Sequence, residues 1–278
     1  VDKRALQKCV DENNRTERDL SLYFHLPYCA SPCLYCGCTK IIDRKGEKNS
    51  AYLGYLEKEL SLRSPQLNSK RKVVQVHLGG GTPTYLSPLQ LEKLGALIHE
   101  NFQLSEHAEA GVEVDPRQLS EEKVKALANA GFNRVSLGVQ DVNLEVQQAV
   151  NRVQPIELTE QAVAWFKAAG FKSFNFDLIY GLPLQTVDSF AKTLERVLEF
   201  QPDRLAVFSY AHVPWIMKAQ RRLETIGLPS AELKLELLRL TIETLTRRGY
   251  VYIGMDHFAR ADDPLAVAQR NKTMQRNF

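Results

Sequence analysis

Three times along the chain the same grammar recurs: a helical pattern, a glycine followed by an aromatic residue, then a short apolar run rich in β-branched and aromatic side chains. Ser120 to Ala130 leads through Gly131-Phe132 to NRVSLGVQ, Thr159 to Ala169 through Gly170-Phe171 to KSFNFDLIYG, and Ala231 to Arg248 through Gly249-Tyr250 to VYIGMD. Glycine at that point is the expected helix stop, because it takes a left-handed conformation without a Cβ clash. Strand candidates are Leu20 to Leu26, Val73 to Leu78, Gly111 to Val114, Arg134 to Val139, Ser173 to Ile179 and Arg204 to Tyr210, each separated from the next by a helix-sized segment. Strands joined by helical crossovers lie parallel, and such sheets bind ligands at the carboxyl ends of their strands. About six units are visible where a closed barrel uses eight, so an open, partial α/β barrel is expected. No Gly/Ser/Pro linker divides the repeat, which predicts one domain.

Helix starts are equally legible. Ser87-Pro88-Leu89-Gln90 combines a Ser N-cap, a Pro at the first helical position and a Gln three residues after the Ser, a capping box that starts a helix at Pro88. Leu91, Leu94, Leu97 and Ile98 then recur at helical spacing, as do Val187, Phe190, Leu194 and Val197 after Thr186. At 278 residues and 44% hydrophobic, the chain can bury a sizeable core. With 36 Lys plus Arg against 33 Asp plus Glu, its charge does not argue for nucleic acid. No apolar run is long enough to span a bilayer, and VDKRALQKCVDENNR lacks the apolar stretch of a signal peptide, so a cytoplasmic protein is expected. The start at Val1 and the stop at Arg276-Asn277-Phe278 read as the ends of a fragment.

Four of the five cysteines, Cys29, Cys33, Cys36 and Cys38, fall within ten residues directly after the first strand candidate, which in a reducing compartment points to metal rather than disulfides. Cys9 stands apart and reads as an incidental thiol. In CxxxCxxCxC, three thiolates suit three corners of a four-iron four-sulfur cluster and leave one iron open, where S-adenosylmethionine (SAM) can chelate and be cleaved by an electron from the cluster. Two alternatives stand beside this: a structural zinc site using His25 or the fourth thiol, and an electron-carrying cluster ligated by all four cysteines. His77-Leu78-Gly79-Gly80-Gly81-Thr82-Pro83 follows the second strand candidate, where glycines let backbone approach a ligand or simply turn tightly. Polar residues also fall at the ends of later strands: Glu113 and Asp115, Gln140 and Asp141, Asp177, and Tyr210 with His212. Arg152 reads either as a fork for a ligand carboxylate or as an exposed surface residue.

Taken together, YFHLPYCASPCLYCGCTK, HLGGGTPTYL, GVEVDPR, RVSLGVQD, FDLIYGLPLQT, SYAH and GMDHFAR resemble, in order and nearly in spacing, the oxygen-independent coproporphyrinogen III oxidases of the radical SAM superfamily. The related haem-binding chaperones look similar over much of the core but generally lack a cysteine at the position of Cys38; a chaperone that transfers haem is the alternative function. The resemblance implies a three-quarter (β/α)6 barrel, here approximately residues 18–260 of a single core domain 1–278, without the family's N-terminal segment and C-terminal helical domain. It implies that Cys29, Cys33 and Cys36 hold one four-iron four-sulfur cluster while Cys38 is needed without ligating it. Two SAM molecules are implied, one touching Tyr23, Gly80 and Glu113, the other Tyr35, Gly81, Thr82, Gln140, Arg152, Asp177 and Ala211. Tyr35 replaces the family's usual Phe.

The reaction so implied converts two propionates of coproporphyrinogen III to vinyls, giving protoporphyrinogen IX in haem biosynthesis. Its other partner is an unidentified low-potential electron donor, and the protein is expected to act as a monomer with neither nucleic acid nor membrane. Lys40, Arg44, Lys45 and Lys48, beside the cysteine loop, are candidates to draw in the tetracarboxylate substrate, and His257 is a candidate for substrate contact.

Overall fold

The structure is a computed structural model that describes residues 2–16 and 18–274; Val1 and the Arg276 to Phe278 end lie outside them. Eight strands form one sheet: β1 Leu20–Leu26, β2 Val73–Gly80, β3 Leu104–Val114, β4 Arg134–Gln140, β5 Ser173–Tyr180, β6 Arg204–Ser209, β7 Tyr250–Gly254 and β8 His257–Arg260. The first six are parallel neighbours in chain order, from β1 to β6. Helices α1 Lys3–Asn14, α2 Asn49–Arg63, α3 Pro88–Asn101, α4 Glu121–Asn129, α5 Leu144–Ala149, α6 Ile156–Ala168, α7 Val187–Leu198, α8 Arg221–Glu224, α9 Ala231–Arg247 and α10 Pro264–Arg270 accompany them. This is the partial parallel α/β barrel that the βα grammar predicts.

Alternation along each strand sets what faces where. In β5, Phe174, Phe176, Leu178 and Tyr180 are buried while Ser173, Asn175, Asp177 and Ile179 are only half-buried. The apolar set packs outward with α6 Phe166 and α7 Phe190 and Leu194, all fully buried, in one continuous core. The other set faces inward, where Asn175 and Asp177 share a cavity with Tyr23, His77, Glu113 and Ser136 of the neighbouring strands. Each fully buried Leu or Phe contributes about 1.5–3 kcal/mol, so the helix-facing layer stabilises the barrel and leaves its interior polar.

The glycine stops behave as expected: Gly131, Gly170 and Gly249 have φ of +89, +83 and +86°. The capping box of Ser87 and Gln90 starts α3 at Pro88. A further glycine matters for packing. A Cβ on Gly95 of α3 would lie 2.4 Å from the Cβ of Ala130 at the end of α4. Helix propensity alone favours Ala over Gly by about 1 kcal/mol. Gly95→Ala should nonetheless destabilise the protein by about 1–3 kcal/mol in urea unfolding, because two backbones must separate; a net gain would show that the helices can slide apart freely.

The third repeat departs from the pattern. The strand after α9 does not extend the parallel sheet: β8 lies between β6 and β7 and is antiparallel to both. Gly254, Met255 and Asp256 have φ of +109, +48 and +67°, a left-handed run that reverses the chain into a hairpin. Among the described residues no helix is long and apolar enough to cross a membrane.

Candidate cofactor site

After β1, Tyr28–Cys29 pairs with Ile41–Ile42 in a two-residue parallel ladder that closes the cysteine loop at its base. Midway, Leu34 is buried in a satellite cluster with Val146, Val150, Leu182, Tyr210 and Leu223, and its N–H donates to the Val150 carbonyl at 2.9 Å. Gln220 donates from Nε2 to the Tyr35 and Ala211 carbonyls at 2.9 and 3.1 Å. One apolar anchor and one amide thus pin the loop from outside while its thiols face inward.

Cys29, Cys33, Cys36 and Cys38 all line one cavity of about 460 Å3 at the carboxyl end of the barrel. Cys29 Sγ lies 3.3 Å from Thr82 Oγ1, and Cys33 Sγ lies 3.5 Å from Arg117 Nη2 and 3.6 Å from Arg152 Nη1. Burial pushes the Cys29 thiol up, against the Thr82 hydrogen bond. Cys36 is pulled down to about 5, chiefly by a hydrogen bond from Cys38, with Lys40 adding to the effect; that shared proton pushes Cys38 up. Lys40 Nζ donates to the Cys36 carbonyl at 3.2 Å. Among the described residues no group of three or more His, Cys, Asp or Glu could hold a single metal ion.

The same cavity is lined by Tyr35, Gly80, Gly81, Thr82, Glu113, Gln140, Arg152, Asp177 and Ala211. Tyr23 does not line it; it borders an adjoining chamber in the barrel interior, also about 460 Å3, which shares Glu113, Ser136 and Asp177 with the first. The glycines of GGGTP are required by the protein itself. A Cβ on Gly80 would meet His25 at 2.7 Å, and one on Gly81 the Pro27 carbonyl oxygen at 2.6 Å, because this backbone runs hard against the end of β1. Gly80 N–H in turn donates to Glu113 Oε2 at 3.1 Å, and Glu113 Oε1 is 3.2 Å from His77 Nε2.

Arg152 is buried, so the surface reading of it fails. Its fork is already occupied, by Asp115 Oδ2 at 3.0 Å and the Gly138 carbonyl at 2.7 Å. Burial alone would weaken the Arg152 charge, but Tyr35, Asp115 and Cys33 raise its proton affinity above the ordinary value. Burial likewise opposes the Asp115 charge, yet Arg152 and Arg117 hold the carboxyl below its usual range. Arg117, which sequence reasoning passed over, donates to Asp115 from Nη2 at 2.6 Å. Its signal was the DPR after β3, where the Asp115 side chain caps the turn carrying Arg117.

Of the other strand-end candidates, Asp115 and Tyr210 also line the cavity, while Asp141 and His212 do not. Asp141 is buried in a structural knot, accepting from the Asn143 N–H at 2.7 Å, Gln185 Nε2 at 2.6 Å and Thr193 Oγ1 at 2.9 Å. His212 bridges Tyr210 and Glu224, both at 2.9 Å. Of the four loop cations only Lys40 reaches the cavity, and His257 lines the adjoining chamber. Asp177 sits inside the barrel rather than at its rim, held by Ser136 Oγ at 2.7 Å and Asn175 Nδ2 at 2.7 Å. Burial, against these hydrogen bonds, pushes its carboxyl up to about 6. The folded state therefore holds a proton that the unfolded chain releases at about pH 4, so this group's contribution falls as pH rises from about 4 to about 6. Asp177→Asn should add about 1–2 kcal/mol of stability at neutral pH and none below about pH 4; urea unfolding at both pH values checks this, and an equal effect at both would refute it.

Three thiols on one cavity wall, two guanidinium groups against Cys33, and a buried Arg152 Nε with no partner among the described residues fit an anionic iron–sulfur cluster and a polar cofactor beside it. The radical SAM superfamily description matches residues 23–197, and the chain belongs to that superfamily, whose members use a four-iron four-sulfur cluster and SAM. It is 52% identical over 262 residues to the oxygen-independent coproporphyrinogen III oxidase of Salmonella typhimurium, covering 94% of this chain and 57% of that protein. With the protein of that name from Synechocystis it shares 44% identity over 277 residues, 100% of this chain and 59% of the relative. The solved Escherichia coli coproporphyrinogen III oxidase (HemN), described as a radical SAM enzyme, superposes with a TM-score of 0.95 at 49% identity, over 100% of this chain and 63% of that one. The chain thus spans somewhat over half the length of the curated relatives it matches.

Proposed function

We propose that this chain is the radical SAM core of an oxygen-independent coproporphyrinogen III oxidase, which converts two propionates of coproporphyrinogen III to vinyls in anaerobic haem biosynthesis. The observation that carries the reading is the single cavity in which the CxxxCxxC thiols meet the GGGTP backbone and Glu113, in a chain with relatives of that name over nearly its whole length. The proposal includes one core domain with a barrel over residues 18–260, in a cytoplasmic monomer with no nucleic-acid or membrane partner.

In this reading Cys29, Cys33 and Cys36 hold the cluster. Arg117 and Arg152 place positive charge against Cys33, which offsets the cluster's negative charge. A cluster and SAM bound there would supply the one-electron radical chemistry by which a propionate loses a hydrogen atom from its β-carbon, CO2 and one electron. Gly80, Glu113 and Tyr23 would hold one SAM. Glu113 is fixed by His77 and the Gly80 N–H, so its carboxylate is already oriented. Tyr35, Gly81, Thr82, Gln140, Arg152, Asp177 and Ala211, which line the same cavity, would hold a second SAM. Cys38, exposed and proton-retaining, would serve the reaction without ligating iron.

The test is anaerobic: protein reconstituted with iron and sulfide is given coproporphyrinogen III, SAM and a reductant. Protoporphyrinogen IX with matching 5′-deoxyadenosine is expected; SAM cleavage without any vinyl product would remove the substrate assignment.

A further inference from the structure

The cysteine loop has an outer side as well as an inner one. Over its outer side lies a second depression of about 480 Å3, whose walls include Leu34, Ala149, Asn151, Arg221, Arg222 and Ile226. Leu34 directly follows Cys33 and precedes Cys36 by two residues, so the floor of this depression is the backbone that carries two of the thiols. Asn151 ties the wall to the loop by donating to the Pro32 carbonyl at 2.6 Å. The α8 turn is held over the loop by Leu223, fully buried in the same apolar cluster as Leu34.

What distinguishes this side is cations set around an apolar floor. Lys218, Arg221 and Arg222 are exposed and form no salt bridge among the described residues, while Glu224, the acid of that turn, is engaged by His212. Elsewhere around the loop Lys40 is spent on the Cys36 carbonyl and Lys45 pairs with Glu47 at 3.9 Å, while Arg44 and Lys48 are exposed without a salt bridge among the described residues but do not line this depression. Unpaired arginines over an apolar floor suit a partner surface bearing carboxylates, since guanidinium groups engage carboxylates through paired hydrogen bonds and draw an acidic partner in from a distance.

We propose that the depression over Leu34, walled by Arg221 and Arg222, is the docking site of an acidic, low-potential one-electron carrier protein. The inference rests on the radical SAM reading of the cavity, because only a cluster there requires an electron from outside. The step is a single electron transfer: the reduced carrier loses one electron, and the cluster on the far side of the Cys33 to Cys36 backbone gains it. No bond forms or breaks.

Reduced flavodoxin serves as the acidic carrier probe and titanium(III) citrate as the small-molecule reductant, with cluster reduction followed in the visible spectrum of the cluster-loaded protein. Arg221→Glu/Arg222→Glu should slow reduction by flavodoxin about tenfold or more, flatten its salt dependence and weaken direct binding of oxidised flavodoxin. Reduction by titanium(III) citrate should be unchanged. The milder Arg221→Gln/Arg222→Gln should fall between, which keeps the test open if the charge reversal perturbs folding. Unchanged reduction by flavodoxin, equal loss with both reductants, or a loss seen instead with Arg44→Glu/Lys48→Glu would each overturn the proposal. Failure of the underlying reading looks different: the unaltered protein would then hold no iron for either reductant to reduce.

Discussion

Cys36→Ser should strip the iron from the protein, whereas Cys38→Ser should keep about four iron per chain and lose vinyl formation to background. The two thiols are two residues apart and share a proton, yet their surroundings differ. Cys36 is half-buried beside Lys40 and gives up its proton readily, and the thiolate is the form that binds metal. Cys38 is exposed and keeps the proton. Iron analysis and visible spectra of the two variants, reconstituted side by side, decide the matter. Equal iron loss would make Cys38 a ligand, fill the open corner and end the proposed chemistry.

Arg152→Met should destabilise the protein by about 3–5 kcal/mol, more than Arg117→Met, as read from urea midpoints. Both arginines contact Asp115, but the Arg152 side chain is only 7% exposed against 17% for Arg117, and Arg152 also holds the Gly138 carbonyl. Without Arg152, Asp115 keeps Arg117 and the Gly138 carbonyl loses its 2.7 Å donor while keeping Gln154 at 3.1 Å. Arg152→Lys should recover less than half of the loss, because an ammonium cannot span both acceptors as a planar fork does. A larger loss for Arg117→Met would show that the Arg152 fork is not what holds Asp115.

Sequence periodicity carried most of the barrel because the helix-facing residues of each strand form a dense apolar, β-branched and aromatic set, and the limits of the first two strands moved little: β1 is Leu20–Leu26 as read, and β2 extends only to Gly80. It failed where no periodic signal exists. The first half of β3, LSEHAEA, has neither an apolar run nor β-branched residues, so the strand begins at Leu104 rather than Gly111. Nor does Gly254-Met255-Asp256 look like the Asn-Gly or Asp-Gly pairs that betray hairpins, and β8 went unseen. At the site, motifs with several residues in register were legible, whereas single carboxylates were not. Asp115 and Asp141 both follow a strand, but only the packing of Gln185 and Thr193 around Asp141 shows that it supports structure. Arg117 resembles any surface arginine until the fold brings it to Cys33.

The parallel sheet also bears on how the chain reaches this state. Leu20 pairs with Val73, Val73 with Leu104 and Arg134 with Ser173, so each strand must wait for a whole helix and its loops to be laid down before it finds its neighbour. Such non-local pairing closes large loops before contacts repay the lost entropy, which slows folding and leaves unpaired strand edges available to other chains. The local β7–β8 hairpin can form early, while the cysteine loop must wait, because the partners of Leu34 come from α5 and its end, the segments after β5 and β6, and α8. Ordering of the cysteine loop is therefore a late event, and recovery from denaturant should improve at low protein concentration.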